Sequence, residues 1–215
     1  MKLTKFISMT LLCTGLFLTS FIAQAEPQLS KEFALVNPPQ AVESGKKIEV
    51  LEIFWYGCPH CSDLEAPLNA WVKKLPGDVT FRRMPAIFRD NWAPMAKAFY
   101  TFEALNEVEK LHSELFHAIH TQGLDPTNET TLFDWVAKQG VDKKKFTDTY
   151  LSFAIQSKVL RAKQLTREYG ITGVPSLIID GKYMTSGSMT GGHQGLFTTA
   201  DFLITKARKE RAGKK

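Results

Sequence analysis

The sequence predicts an α/β fold interrupted by an all-helical insertion, and three observations carry that expectation. A largely apolar, β-favouring run, "IEVLEIFWY" at 48–56, passes directly into a helical pattern. Two further strand-like runs follow, "DVTFRRMPAIF" after that helix and "SLIID" at 176–180. Between them, from 90 to 155, hydrophobic residues recur at three-to-four spacing with no strand signal.

Taken in order, residues 1–25 read as a cleaved secretory signal. Lys2 and Lys5 precede an apolar stretch from Phe6 to Ile22, and Ala23-Gln24-Ala25 has the small-x-small pattern of a cleavage site. An uncleaved membrane anchor is the alternative, but the stretch is short and carries Thr10, Thr14, Thr19 and Ser20. Leu12 before Cys13 does not fit a lipoprotein signal, so Cys13 is expected to leave with the signal and Glu26 to open the mature chain. An exported chain of about 190 residues buries a core without disulfide staples. One close cysteine pair, Cys58 and Cys61, in an oxidising compartment therefore points to chemistry at that pair.

Residues 26–47, with Pro27, Pro38, Pro39 and Gly45, suit an irregular lead-in, with "FALV" at 33–36 as an edge strand. The run 48–56 should be buried on both faces, and Glu52 is the odd residue in it. From Cys58, the residues Leu64, Leu68, Trp71, Val72 and Leu75 follow helical spacing up to Pro76-Gly77, with Pro67 expected to kink the helix. A second strand covers 79–84. Trp92 to Ile119 keeps the helical period, Leu132 to Gln139 is a short helix closed by Gly140, and Asp142 caps one or two helices ending near Gly170. "SLIID", the turn Asp180-Gly181-Lys182 and a return strand near Tyr183 form a hairpin, and a helix over 195–210 closes the chain. A parallel pair followed by an antiparallel hairpin, packed between helices, is a thioredoxin-like core. Its two parts would be 26–89 and 156–215, with 90–155 as the insertion.

The full chain has 27 Lys and Arg against 22 Asp and Glu; removing Lys2 and Lys5 leaves 25 against 22, a net charge of +3. The basic end, "KARKERAGKK", reads as a solvated helix end, since export argues against a nucleic-acid partner. Asn128-Glu129-Thr130 has the form of a glycosylation sequon and is read as chance in a bacterial exporter.

Three chemistries use two cysteines at the CPHC spacing. Structural zinc needs four ligands, and no second pair is evident; His112, His117 and His120 crowd one predicted helix and read as histidines beside water. Haem attachment needs His directly after the second cysteine, where Ser62 stands. Thiol–disulfide exchange remains. At a helix N-terminus the Cys58 sulfur meets unpaired N–H groups and the positive end of the dipole, which favour thiolate. Cys58 is then the exposed nucleophile and Cys61, one turn in, the buried resolving partner, while His60 stabilises the reduced anion.

"GVPSLIID" puts Pro175 just before a strand, where it either sits in a cis turn facing the CxxC, with Val174 offering its backbone to a bound peptide, or is a trans proline opening the strand. Glu52, six residues before Cys58, is expected behind the active site as a proton acceptor for Cys61; the alternative has it facing solvent.

These residues resemble the DsbA family of secreted thiol and disulfide oxidoreductases, through "FWYGCPHC", the helical insertion, "GITGVPSLIIDGKY" and the closing helix. A strongly oxidising CxxC with a depressed thiol pKa belongs to DsbA itself and is carried over by the resemblance. The resemblance implies a monomeric periplasmic oxidase without an added cofactor. It would pass a Cys58–Cys61 disulfide to newly exported proteins and be reoxidised by a DsbB-type membrane partner. It assigns Cys58, His60, Cys61, Val174 and Pro175 to the active site and matches Glu52 by position. The small-residue stretch 185–195 is read as an exposed loop bordering the partner groove. Rival readings are a reductase or isomerase of the same fold, and a soft-metal carrier or redox-gated chaperone.

Overall fold

The computed structural model describes residues 26–213; the expected signal, with Cys13, lies outside the described residues. A five-stranded mixed sheet, in the order β1-β5-β4-β2-β3, forms its centre. β2 (Ile48–Phe54) runs parallel to β3 (Val79–Pro85) and antiparallel to β4 (Ser176–Ile179), which turns back into β5 (Tyr183–Ser186). The edge strand expected within "FALV" is β1 (Ala34–Leu35), paired with β5. The crossover that a parallel pair requires is α1 (Pro59–Val72), a single helix with Pro67 inside it.

Every residue of β2 is buried. Because successive side chains alternate, Leu51 and Ile53 join the core under the helical block. Ile48 and Val50 join a second core with Leu64 and Leu68 of α1 and Leu203 of α8 (His193–Ala212). Glu52 shares the face of Ile48 and Val50 and is as buried as they are.

Between β3 and β4 the chain makes a 3₁₀ turn (Asp90–Trp92) and five helices: α2 (Ala93–Leu105), α3 (Val108–Gln122), α4 (Glu129–Lys138), α5 (Lys143–Tyr150) and α6 (Phe153–Glu168). The periodic run from Trp92 to Ile119 is not continuous. It breaks at Asn106, whose left-handed φ of 58° ends α2, a conformation that asparagine tolerates better than most residues. Asp142 caps α5 by accepting from the Lys145 N–H at 2.7 Å, and Asn128, first of the sequon-like triplet, caps α4 through the Thr131 N–H at 3.1 Å. Residue 155 falls in the first turn of α6.

The stretch 185–195 is a correction: it is not a featureless loop. It contains the end of β5, a one-turn helix α7 (Gly187–Thr190) and the start of α8, two residues earlier than expected. A Cβ at Gly195 would lie 2.1 Å from the Thr190 carbonyl oxygen, so glycine is what lets α7 pack on α8. No helix among the described residues is long and apolar enough to cross a membrane.

Candidate active site

Cys58 is the N-cap of α1, extended at φ −92° and ψ 115°, and Pro59 follows at the first helical position, where a missing N–H costs least. The N–H groups of Cys61 and Ser62 both bond to the Cys58 carbonyl at 3.1 Å, closing the first turn and setting Cys61 beneath Cys58. Both cysteines are free thiols in this structure. His60 stands exposed beside them.

The two sulfurs are driven in opposite directions. The Cys61 thiol's hydrogen bond to the Cys58 sulfur is the largest influence on Cys58. Burial works against it, but the backbone N–H groups of Cys61 and His60 and the His60 charge reinforce it, and Cys58 comes down from 9 to about 6. Cys61 is pushed far up, first by burial, then by the Cys58 sulfur that it serves, with the Glu52 charge adding to the rise.

Cys58 is less open than expected, at 7% exposed against 0% for Cys61. The reason is the proline loop. The Val174–Pro175 peptide is cis, and the Val174 carbonyl oxygen sits 3.5 Å from the Cys58 sulfur across 116 residues of sequence. Beside this contact runs a groove of about 430 Å³, lined by His60, Val174, Pro175, Met184, Met189 and His193. Two of these, Met189 and His193, come from the stretch read as a loop, and they are visible as groove residues only once α7 is folded against α8. On the other side Trp55 stacks on Trp92, with ring centroids 3.9 Å apart.

Glu52 is fully buried, and the solvent-facing alternative is excluded. Its Oε2 accepts from Arg83 Nε at 2.9 Å, while Oε1 has no partner among the described residues. Burial outweighs the Arg83 charge, the Glu65 carboxylate adds to the effect, and the Glu52 carboxyl rises from 4.5 to about 8. It therefore favours its protonated form at neutral pH, the form that can give a proton rather than take one.

Sequence reasoning missed the rest of this cluster. Arg83 also donates to Asn69 at 2.6 Å and to Glu65 at 3.4 Å. Glu65 lies one turn beyond Cys61 and accepts from the Ser113 hydroxyl at 2.8 Å. Burial raises the Glu65 carboxyl, but the His112 ring 3.2 Å away, with Arg83 and Ser113, more than offsets it and holds Glu65 at about 2. His112 is a correction: it is buried at 3% exposed, not beside water, whereas His117 and His120 are exposed. Glu49 and Glu52 of β2 and Arg82 and Arg83 of β3 are opposite charges on two neighbouring strands, and that match was the available signal.

Glu52, Glu65 and His112 have the reach of a metal set, with ligand atoms within 4.8 Å of one another. The Arg83 guanidinium, bonded to both carboxylates, already fills the cationic position there.

A nucleophile and a buried partner on a helix N-terminus, facing a cis-proline loop on a mixed sheet, define a thiol:disulfide oxidoreductase of thioredoxin fold. Comparison with known proteins narrows that class. The DSBA-like thioredoxin domain family matches residues 78–203, and pairwise relatives extend over the cysteines. The chain is 39% identical to the thiol:disulfide interchange protein DsbA of Burkholderia cepacia, over 96% of this chain and 99% of that one. It is 40% identical to DsbA of Pseudomonas aeruginosa, over 86% of this chain and 89% of the relative. The Pseudomonas aeruginosa DsbA crystal structure superposes with a TM-score of 0.83 at 39% identity, covering 88% of this chain and 97% of that one. The oxidoreductase DsbA from Xylella fastidiosa superposes at 0.81 with 26% identity, over 86% and 100%. The chain belongs to the DsbA family. Its reaction is thiol:disulfide interchange, carried by its own cysteine pair on thiol-bearing protein substrates.

Proposed function

We propose that this chain is a periplasmic dithiol oxidase that donates a Cys58–Cys61 disulfide to newly exported proteins and is reoxidised by a DsbB-type membrane partner. The observation that carries this is the opposed ionisation of the two sulfurs. Stabilising Cys58 as a thiolate favours the dithiol, and a favoured dithiol makes its disulfide a strong electron acceptor.

A substrate thiolate attacks the Cys58 sulfur, a mixed disulfide forms, and the electron pair of the broken bond passes to Cys61. Cys61 has a raised pKa and takes a proton at once, which Glu52 supplies. A second substrate thiolate then attacks the substrate sulfur of the mixed disulfide and expels Cys58, whose low pKa makes it a good leaving group. His60 stabilises the departing thiolate. Val174 and Pro175 hold the peptide against Cys58, with the Val174 backbone pairing to it in strand fashion. The division into a thioredoxin-like part at 26–89 and 156–215 and a helical insertion at 90–155 belongs to the same proposal, as does a monomeric state.

The test is equilibration of the mature protein with a glutathione redox buffer, followed by tryptophan fluorescence and thiol trapping. A potential well above the glutathione couple supports the oxidase. A potential near that of thioredoxin would make the pair a reductant and end the oxidase reading.

A further inference from the structure

His112 and Tyr56 lie in the interior and take no part in the exchange just described. The rings of Phe54, Phe99 and Phe116 pack around the His112 imidazole. Nδ1 is held by the Tyr56 hydroxyl at 2.7 Å. Nε2 lies 3.2 Å from Glu65 Oε1, but out of line for a hydrogen bond, and so is unpartnered although buried. Buried polar groups are normally satisfied, and an exception calls for a reason. The charged and titratable groups facing the ring are Glu52 from β2, Glu65 from α1, Arg83 from β3, Tyr56 beyond β2, and Glu109 on its own helix.

Each turnover moves one proton onto or off Cys61. Glu52 is fully buried, so its carboxyl has to be reloaded through a neighbour. Glu65 is held as a carboxylate, and arginine does not release its proton at any pH the fold survives. An imidazole gains and loses a proton near neutrality. Burial lowers the His112 pKa, and the Glu65 carboxylate opposes that fall. Next to it lies a cavity of about 610 Å³, bordered by Glu65, Asn69, Arg83, His112 and Ser113 and reaching the surface at exposed Lys73. A polar space of that size holds water.

We propose that His112 is the relay that returns a proton to Glu52 from water in this cavity, so that α3 of the helical block carries the proton path of the exchange reaction. The role depends on Glu52 being the proton donor to Cys61. In the forward direction Glu52 gives its proton to the Cys61 thiolate, and His112 takes one at Nε2 from cavity water, with Nδ1–H donating to Tyr56. The imidazolium then passes the Nε2 proton to the Glu52 carboxylate. Reoxidation runs the same transfers in reverse. His112 acts through Glu52 and touches neither sulfur, so it is a positioning residue with a proton-carrying role.

The test is the rate at which reduced glutathione reduces the disulfide form, followed across pH in H₂O and D₂O for His112→Phe, His112→Ala and Glu52→Gln. Phenylalanine suits the aromatic surroundings and keeps the fold if alanine does not. Both His112 variants are expected to slow the step about tenfold and to enlarge the solvent isotope effect, because positioned proton transfer contributes about a hundredfold or more. Added imidazole should restore the rate of His112→Ala through the cavity, and should do nothing for Glu52→Gln. If Glu52→Gln is slow while His112→Phe keeps the parent rate and pH profile, the relay is wrong and the Glu52 role stands. If Glu52→Gln itself keeps the parent rate, the Glu52 role falls and the relay with it.

Discussion

Glu52 of β2 and Arg83 of β3 are register partners in the parallel pair, and their side chains meet at 2.9 Å in the protein interior. Parallel register puts both on one face of the sheet, toward α1, where Glu65 supplies a second carboxylate to the same guanidinium. One cation thus serves two acids, and the acids are left with very different proton affinities. That difference is what the proposed proton transfer to Cys61 uses.

Removing Arg83 should therefore cost more than removing Glu52. Arg83→Met leaves the Glu65 carboxylate in a buried site without its arginine counter-charge, and loss of one partner from such a site costs about 3–5 kcal/mol. Chemical denaturation of the disulfide form, compared with that of Glu52→Gln, measures it. Equal losses for the two variants would mean that Arg83 is not the organising charge.

In reoxidation of the dithiol, Glu52→Gln should slow the attack of Cys61 on the mixed disulfide while leaving the first attack by Cys58 nearly intact. It should also change the pH dependence of stability. The folded carboxyl keeps its proton up to about 8, above the ordinary 4.5, so its contribution is complete below 4.5 and is lost as pH rises through 8. The variant has no such loss. Its thermal midpoint should gain on the parent between pH 4.5 and 8, and a constant gap across that window would contradict a buried, protonated Glu52.

Cys58 predicts the opposite slope for the reduced protein. Its folded pKa of about 6 lies below the ordinary 9, so the stabilisation is complete above 9 and is lost as pH falls through 6. The disulfide form has no thiol to titrate. The stability difference between reduced and oxidised protein should change between pH 6 and 9 in favour of the reduced form, and level off below 6. Cys58→Ser should abolish the pH-dependent part.

Gly57→Ala tests the tryptophan stack. A Cβ at Gly57 would lie 2.4 Å from the Trp55 ring, which is pinned against Trp92 and cannot simply turn away. Overpacking of this kind costs about 1–3 kcal/mol. The expected outcome is a lower midpoint together with an altered tryptophan emission; an unchanged spectrum would show that the stack is not rigid.

Much of the architecture was legible in the chain because its signals are local. The β2 run, the helix-boundary residues Asp142 and Gly140, the CPHC turn and the Asp180-Gly181 hairpin are each written within a few neighbouring residues. Local signals are silent wherever the structure depends on what packs from far away. The break at Asn106 and the turn at Gly187–Thr190 lacked a strong local stop or start signal. His112 carried no mark that distinguished it from the exposed His117 and His120 on the same helix.

The sequence by itself determined the fold class, a cysteine pair at a helix start and a proline just before a strand, because hydrophobic period, helix-start position and proline placement act over short spans. The tertiary structure decided the electrostatics. Whether Glu52 met solvent or Arg83, whether Cys58 stood open or beneath the Val174 carbonyl, and whether His112 faced water or Glu65 all depended on contacts across 31 to 116 residues. Desolvation is a property of the surrounding volume, not of the residue, so the proton affinities that define this site existed only once the chain had closed around it.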